Sequence, residues 1–498
     1  MNFSKSKYCS FCQCPKILWL NKYKPEVMTD DPAKQERFAQ GNVVGDLAMS
    51  LFGDFTEVTA YDKDGNLDIA KMISNTDECL KNGTENICEA SFAPKGHFCS
   101  VDILRKEGDG YAIYEVKSST HVKPVYVTDV TYQKFVLEKC GIKVTGTYVV
   151  HINNQYVYDG NLDVQKFFTI KDVSALVEEE SKRHDIDADL VKMNEICECE
   201  TEPKIDLSIN CKEPYECAYW EYCSRHLPKP NVFDVYSLNI NKKIEAYQKG
   251  YFEFGDIRQA VKLNELQKRQ LDFVLKNIDE HIDKEGIKSF LDTLSYPLYF
   301  LDFESMMPTI PMYPNSKPFA QILFQYSLHY IESENGEIKH KEFLGESGVD
   351  PRRDLAEQLV KDIPADGSVM VFNETFEKTR LRELAELFPD LADGLLRIRN
   401  NVIDLLKPFR KGYYYNKAIG NSFSIKSILP AMFPNDPTLN YKNLEGVHNG
   451  GEAMTIFPKI KDMPLEEQQI TRNNLLKYCE LDTFATVKIW QKLVELCK

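Results

Sequence analysis

Two groups of residues in this chain have the types and spacing for metal chemistry on phosphate esters. In SVDILRKEGDGYAIYEVKSST, residues 100–120, Asp102 precedes Glu115 and Lys117. VDIL and YAIYEVK are apolar and alternating, and the RKEGDG connector between them carries two glycines, so a β-hairpin is predicted. Glu115 and Lys117 stand two apart and share one face of the sheet, and pairing brings Asp102 to that face. Carboxylates suit Mg²⁺ or Mn²⁺, and a lysine beside them can hold or deprotonate a water and stabilise charge on a phosphate. The second group begins in YPLYFLDFESM, an apolar strand ending in Asp302 and Glu304. SVMVFNETFEKTRLRELAELF reads as strand, turn and helix and holds Asn373, Phe376 and Glu377. LLKYCELDTFATVKIWQKLVEL reads as a helix in which Tyr478 and Asp482, four apart, lie on one face. Carboxylates gathered by such elements could hold divalent ions. The bland alternatives are a surface hairpin with charged alternate positions and a packed α/β domain whose acids are surface charges.

Fourteen cysteines without the features of a secreted chain suggest metal ligation before disulfides. Cys211, Cys217 and Cys223 follow a C-x5-C-x5-C spacing among aromatic residues, and a thiolate set of four suits Zn²⁺ or an iron–sulfur cluster. The fourth ligand must come from afar. In LKPFRKGYYYNKAIG, Lys407, Arg410, Lys411 and Lys417 interleave with Tyr413, Tyr414 and Tyr415. Such a mixture can neutralise phosphates and stack bases, or it can be a strand edge whose tyrosines are half packed into a core. Asp404, at a strand end, is an accessory candidate.

The elements that must position these residues can be read in outline. At 498 residues the chain should hold two to three domains, with the ordinary apolar (43%) and charged (28%) content of a globular protein. No apolar run approaches the ~20 residues needed to cross a bilayer. The N-terminus lacks a signal-peptide h-region, so a cytoplasmic protein without a membrane partner is expected. A net charge of −15 argues against coating nucleic acid by bulk electrostatics, although acidic metal sites inflate that count. DDPAKQERFAQGNVVGDLAMSLF predicts a helix, and FTEVTAY and SFAPKGHFCS predict strands. VTGTYVVHIN and QYVYDG predict a second hairpin, and DVSALVEEESKRHDIDADLVKMNEI one charged helix. After PKPNVFD, a linker signal, leucines and isoleucines at helical steps predict helices to about residue 295. The expected organisation is a domain over 1–228, a helical linker over 229–295 and a domain over 296–498.

The arrangement D-x12-E-x-K resembles the PD-(D/E)XK nuclease core, in particular its RecB-like branch. DVTYQKFVLEKCG resembles the helix that carries that branch's glutamine, here Gln133. Leu137 stands where the branch usually has tyrosine. Gly45, in GNVVGDLA, stands in the approximate place of its metal-binding histidine, so Asp46 or Glu36 would have to substitute. RecB-like nucleases with clusters, of the AddB and CRISPR-associated types, bind [4Fe–4S] through one cysteine before the nuclease core and three after it. That resemblance implies Cys14 with Cys211, Cys217 and Cys223. The spacing departs from the usual C-x2-C-x5-C, which leaves Cys9 or Cys12 as alternatives to Cys14, Cys197 or Cys199 as alternatives to Cys211, and Zn²⁺ as the alternative metal. Asp302 and Glu304, then Asn373, Phe376 and Glu377, then Tyr478-x3-Asp482, resemble the three motifs of tyrosine-type DEDD exonucleases of the DnaQ-like, ribonuclease-H fold. Glu377 departs from the usual aspartate.

The combination resembles a bacterial family catalogued as a domain of unknown function. It implies an α/β protein in which a restriction-endonuclease-like domain with a four-cysteine cluster precedes a ribonuclease-H-like domain. Asp102, Glu115, Lys117 and Gln133 would be catalytic in the first, and Asp302, Glu304, Glu377, Tyr478 and Asp482 in the second. Mg²⁺ or Mn²⁺ and [4Fe–4S] would be the cofactors. The implied activity degrades or trims DNA, single-stranded or from its ends and including 3′ to 5′ exonuclease action, in repair or defence. No Walker A sequence is present, so a helicase or another repair or defence protein would be a partner. The rivals are an RNA-processing 3′ to 5′ exonuclease and a nucleic-acid-binding scaffold with decayed sites.

Overall fold

The computed structural model describes residues 3–29 and 32–498, a mixed α/β chain in two compact units. One comprises Met1–His226 with Thr309–Phe319, the other Leu227–Pro308 with Ala320–Lys498.

The first unit is built on a sheet of β1 (Phe3–Ser4), β2 (Thr56–Glu57), β3 (Asn86–Phe92), β4 (His97–Glu107), β5 (Gly110–Lys117), β6 (Val144–Ile152) and β7 (Phe168–Asp172). Their order is β2-β3-β4-β5-β6-β7, with β1 paired to β4. β4 runs antiparallel to both β3 and β5, and β6 is parallel to β5. The parallel step needs a crossover, and the helix Pro124–Lys139, with proline in its first turn, supplies it. Both faces of the sheet are packed. Ile87, Leu104 and Ile113 join one core, while their neighbours Cys88, Ile103 and Ala112 join another, as the period of two requires. Gly108, at φ +61°, turns β4 into β5.

Two expectations are corrected here. QYVYDG forms no strand; β6 instead takes β7 as its antiparallel partner, and Tyr156 is buried in the core. The charged helix is two, Ser174–Arg183 and Ile186–Glu198. Asp185 breaks it by accepting a hydrogen bond from the amide of Ala188 as an N-cap.

The second unit contains β8 (Glu280–Ile282), β9 (Leu298–Met306), β10 (Ile322–Ile331), β11 (Lys339–Leu344), β12 (Ser368–Val371), β13 (Val402–Asp404) and β14 (Tyr414–Asn416). Five form one sheet in the order β11-β10-β9-β12-β13, and β8 pairs with β14. β10 runs antiparallel to both β9 and β11, and β12 and β13 run parallel to β9. The helix Glu374–Leu387 follows β12, and the chain closes with the 33-residue helix Leu465–Cys497. Residues 229–295 are folded into this unit, as the helices Ile240–Gln248, Phe254–Ala260, Glu265–Leu275 and Lys284–Leu291. EHI, expected within a helix, is β8, because Glu280–Ile282 pairs residue by residue with Tyr414–Asn416. Among the described residues no helix is long and apolar enough to cross a membrane.

Candidate metal sites

In the first unit the hairpin β4–β5 carries Asp102, Glu115 and Lys117 beside the helix Pro124–Lys139. Asp102 Oδ2 accepts the amide of Val116 at 2.6 Å. Lys117 Nζ lies 2.5 Å from Glu115 Oε1 and 2.7 Å from Asp129 Oδ2. Gln133 Nε2 donates to Glu115 Oε2 at 2.7 Å and to Asp129 Oδ1 at 3.0 Å. Its own Oε1 is buried without a hydrogen-bond partner. Thus Asp102, Glu115, Lys117 and Gln133 come together.

Three residues that the sequence reading missed join them. Lys5 Nζ sits 2.9 and 3.2 Å from the two Glu115 oxygens and 3.7 Å from Asp102 Oδ1. Asp129 lies one helical turn before Gln133, a spacing from which it could have been found. Glu89 stands at φ +58° within β3, where the β3–β4 register passes Asp102. The carboxyl of Glu89 is pushed up to about 8 by burial and by Asp102. Burial, with the carboxylates of Asp102 and Asp129, pushes Glu115 up to about 7 against the opposing pull of Lys117 and Lys5. Burial works against the charge of Lys117, but Asp129 and Glu115 outweigh it and hold the ammonium well above its usual range. Asp46 is exposed on the helix Pro32–Met49.

Cys14, Cys211, Cys217 and Cys223 line one small cavity with Lys16, Trp220 and Tyr219. Cys14 follows the helix Lys5–Gln13, whose Gln13 Nε2 donates to the carbonyls of Asn210 and Tyr215 at 2.8 and 2.9 Å. The amide of Cys217 donates to the carbonyl of Cys211 at 2.9 Å. Burial raises the thiols of Cys14, Cys217 and Cys223. Among the described residues no three of these four sulfurs lie within 4.8 Å of one another. The alternatives lie elsewhere. Cys9 feels Asp129, Lys117 and Lys5, Cys12 bonds Tyr8, the carbonyl of Cys197 accepts from Lys22 and Tyr23, and Cys199 Sγ donates to the carbonyl of Thr201.

In the second unit Asp302, Glu304, Glu377, Tyr478 and Asp482 all line one open cleft of about 490 Å³. Asp302 and Glu304 come from the central strand β9, Glu377 from the first turn of Glu374–Leu387, and Tyr478 and Asp482 from Leu465–Cys497. Glu304, Glu377 and Asp482 are buried, and Glu377 Oε2 has no hydrogen-bond partner. Tyr441 donates to Asp482 Oδ1 at 2.5 Å. Burial, then Asp482, Glu304 and Glu377, raises Asp302 well above the usual carboxylate range. Burial and Asp482 push Glu304 up to about 8, burial and Asp404 push Glu377 to about 8, and burial pushes Asp482 to about 6. Lys426 Nζ sits over the rings of Tyr441 and Tyr478 at 5.1 and 5.4 Å and opposes the shifts of Glu304 and Asp482. The sequence reading missed Lys426 and Tyr441, since neither belongs to a motif. Asp404 accepts the amides of Asn373 and Leu406 at 3.0 and 2.9 Å and so ties two loops together.

The basic segment is divided. Arg410 lines the cleft and lies 3.8 Å from Asp404. Lys407 Nζ pairs with Glu374 at 3.4 Å, Lys411 is exposed, and Lys417 Nζ donates to Asn277 at 2.8 Å. Tyr413 is half-buried. Tyr414 is corrected from a base-stacking residue to a core residue. It is 2% exposed, donates to Glu280 Oε1 at 2.7 Å and meets Phe409 edge-on, so no ring face is open. Besides Tyr478, the cleft's own aromatics are Tyr236, Phe303, Phe372, Phe376 and Phe423.

Comparison with known proteins adds relatives without an assigned activity. A family described as "Domain of unknown function (DUF2779)" matches residues 299–424. The chain is 25% identical over 284 residues, 52% of its length and 41% of the relative's, to "Uncharacterized protein MG366 homolog" of Mycoplasma pneumoniae. It is 28% identical over 218 residues, 40% of its length and 32% of the relative's, to "Uncharacterized protein MG366" of Mycoplasma genitalium. It is 29% identical over 238 residues, 43% of its length and 33% of the relative's, to "Uncharacterized protein UU173" of Ureaplasma parvum. The chain thus spans less than half the length of these relatives. No solved structure matches.

Proposed function

We propose that this chain is a metal-dependent nuclease with one active site in each unit, and that it degrades or trims DNA, from a 3′ end in the second unit, in repair or defence. The observation that carries the reading is the convergence of Asp302, Glu304, Glu377, Asp482 and Tyr478 on one cleft. Acids gathered out of water at a cost to their own ionisation are a cation site waiting for charge. Divalent ions held by the four acids would generate the attacking nucleophile and stabilise the leaving oxygen. The chain's own groups do the rest. The Tyr478 hydroxyl, kept protonated by burial and by Asp482, can donate to a water or a phosphate oxygen. Arg410 and Lys426 bring positive charge to a cleft that must accept phosphate. Phe376, Phe423 and Tyr236 give it aromatic walls of the kind on which unpaired bases stack. The sheet order β11-β10-β9-β12-β13 supports a ribonuclease-H-like reading of this unit.

In the first unit the succession of helix Pro32–Met49, antiparallel β3, β4 and β5, helix Pro124–Lys139 and parallel β6 supports the PD-(D/E)XK reading. Asp102 and Glu115 would hold one divalent ion, Gln133 fixes Glu115, and Asp129 aims Lys117 at the same point. A zinc ion with Zn–S bonds of about 2.3 Å draws four sulfurs to about 3.8 Å of one another. Cys14, Cys211, Cys217 and Cys223, which line one small cavity, would suit either that ion or an iron–sulfur cluster. The deciding experiment is cleavage of end-labelled single-stranded DNA, duplex DNA and RNA with Mg²⁺ or Mn²⁺, using protein purified without oxygen. Lys117→Ala and Asp302→Ala should each abolish a different set of products. Degradation of RNA alone would replace the DNA assignment, and binding without cleavage would leave a scaffold.

A further inference from the structure

A second constellation lies on the same sheet, on residues that do not line the acidic cleft. His329 on β10 pairs directly across from His340 on β11, their rings 4.5 Å apart. Glu480, exposed on the helix Leu465–Cys497, reaches the same place. One nitrogen of each imidazole and one carboxylate oxygen of Glu480 all lie within 4.8 Å of one another.

The protons in the surrounding hydrogen bonds can be assigned. Thr483 Oγ1 donates its single proton to the carbonyl of Glu480 at 3.1 Å. It must therefore accept from both of its other partners, Ser327 Oγ at 2.7 Å and His329 Nδ1 at 2.8 Å. Ser327, having donated to Thr483, accepts from His340 Nε2 at 2.9 Å. His329 thus carries its proton on Nδ1 and His340 on Nε2. The remaining nitrogens, Nε2 of His329 and Nδ1 of His340, hold lone pairs, and Glu480 brings a carboxylate. Each imidazole is held in its tautomer by a hydroxyl, as the outer partners of metal-bound histidines do, and keeps one nitrogen free to bind an ion.

We propose that His329, His340 and Glu480 bind one divalent transition-metal ion, of the zinc class, which fastens the helix Leu465–Cys497 to the β10–β11 edge of the sheet. Two imidazoles and a carboxylate suit Zn²⁺ and its transition-metal neighbours, whereas Mg²⁺ takes oxygen ligands. Glu342, which lies beside His340 and Glu480, offers a second carboxylate, and water can complete the shell. Asp482 lies two residues beyond Glu480 on the same helix, so the ion would also fix that acid's height over the cleft. The inference stands whether or not the chain is a nuclease.

The test uses the full-length protein, freed of divalent ions by chelation, then dialysed against Zn²⁺ and analysed for zinc and iron. The comparison is between wild type, His340→Gln and Glu480→Gln; Glu480 is exposed, so its substitution leaves the packing intact. Because the acidic cleft and the cysteines are unchanged in all three, the reading is a difference. Each variant should retain one zinc equivalent fewer than wild type at equal iron content, and should lose the part of the zinc-induced rise in melting temperature that wild type shows. Equal zinc content and an equal melting shift in all three proteins would overturn the site.

Discussion

Lys5 shows how much of the first site depends on a residue with no motif. Its ammonium faces both oxygens of Glu115 and one of Asp102, the direction from which a divalent ion would be held. Lys5→Met should cost roughly 2 kcal/mol in chelator, less than a fully buried pair because Lys5 is 23% exposed. It should also bind Mn²⁺ several-fold more tightly by calorimetry; weaker binding would show that Lys5 supports the ion rather than standing in for it. A pH effect follows from the second site. Glu304 and Glu377 at about 8 and Asp482 at about 6 lie above the ordinary carboxylate range, with burial the leading cause. The folded state therefore holds protons that the unfolded chain releases. The penalty is absent below about pH 4 and grows as pH rises toward 8. In chelator the melting temperature should fall between pH 5.5 and 8, Glu304→Gln should flatten the fall, and Mn²⁺ should reverse it. A rise over that window would mean that these acids are ionised and paired. Asp102, Glu115 and Lys117 were legible because the strand period puts them on one face, and Gln133 through the resemblance of its helix to the RecB-like one. Asp129 was legible one turn away, whereas Lys5 and Glu89 were not, since one arrives from far along the chain and the other by a left-handed residue inside a strand.

Elements with a strong local period were readable, and those set by distant partners were not. The hairpin β4–β5 announces itself through alternation and two glycines, and the helix Leu465–Cys497 through its apolar stripe. EHI carries no such signal, and the tyrosine run allowed a strand edge only as one of two readings; they become β8 and β14 because each supplies the other's hydrogen bonds. QYVYDG has a strand's composition, yet the edge of β6 that it would need is taken by β7. Gly110 makes the tertiary cost measurable. A Cβ there would stand 2.3 Å from the carbonyl oxygen of Lys143, the group that accepts the amide of Tyr111 at 2.9 Å. Gly110→Ala must part β5 from the start of β6, and about 3 kcal/mol should be lost in chemical denaturation. A loss under ~0.5 kcal/mol, the range of an ordinary surface substitution, would mean that this edge yields freely.

Across the whole molecule, the linker signal in PKPNVFD could not show that Thr309–Phe319 belongs with the first unit. That short excursion has no composition of its own, and only packing assigns it. The cysteines carry the same lesson at longer range. Cys14 meets Cys211, Cys217 and Cys223 across nearly the whole first unit, and Gln13 bonds the same loop. Closing so long a segment removes much of the unfolded chain's freedom, and a metal centre held there would add its binding energy to folding. The segment so closed begins with the helix Lys5–Gln13, which delivers Lys5 to Glu115, so the cysteines and the first site form one mechanical unit. The second site draws every residue of its cleft from the other unit. Cys217→Ser should therefore strip bound iron or zinc, lower one of two calorimetric transitions, and abolish the products that depend on Lys117. The products that depend on Asp302 should persist. If both transitions fall together and both product sets vanish, the two units fold as one, and the four cysteines support the whole chain rather than its first half.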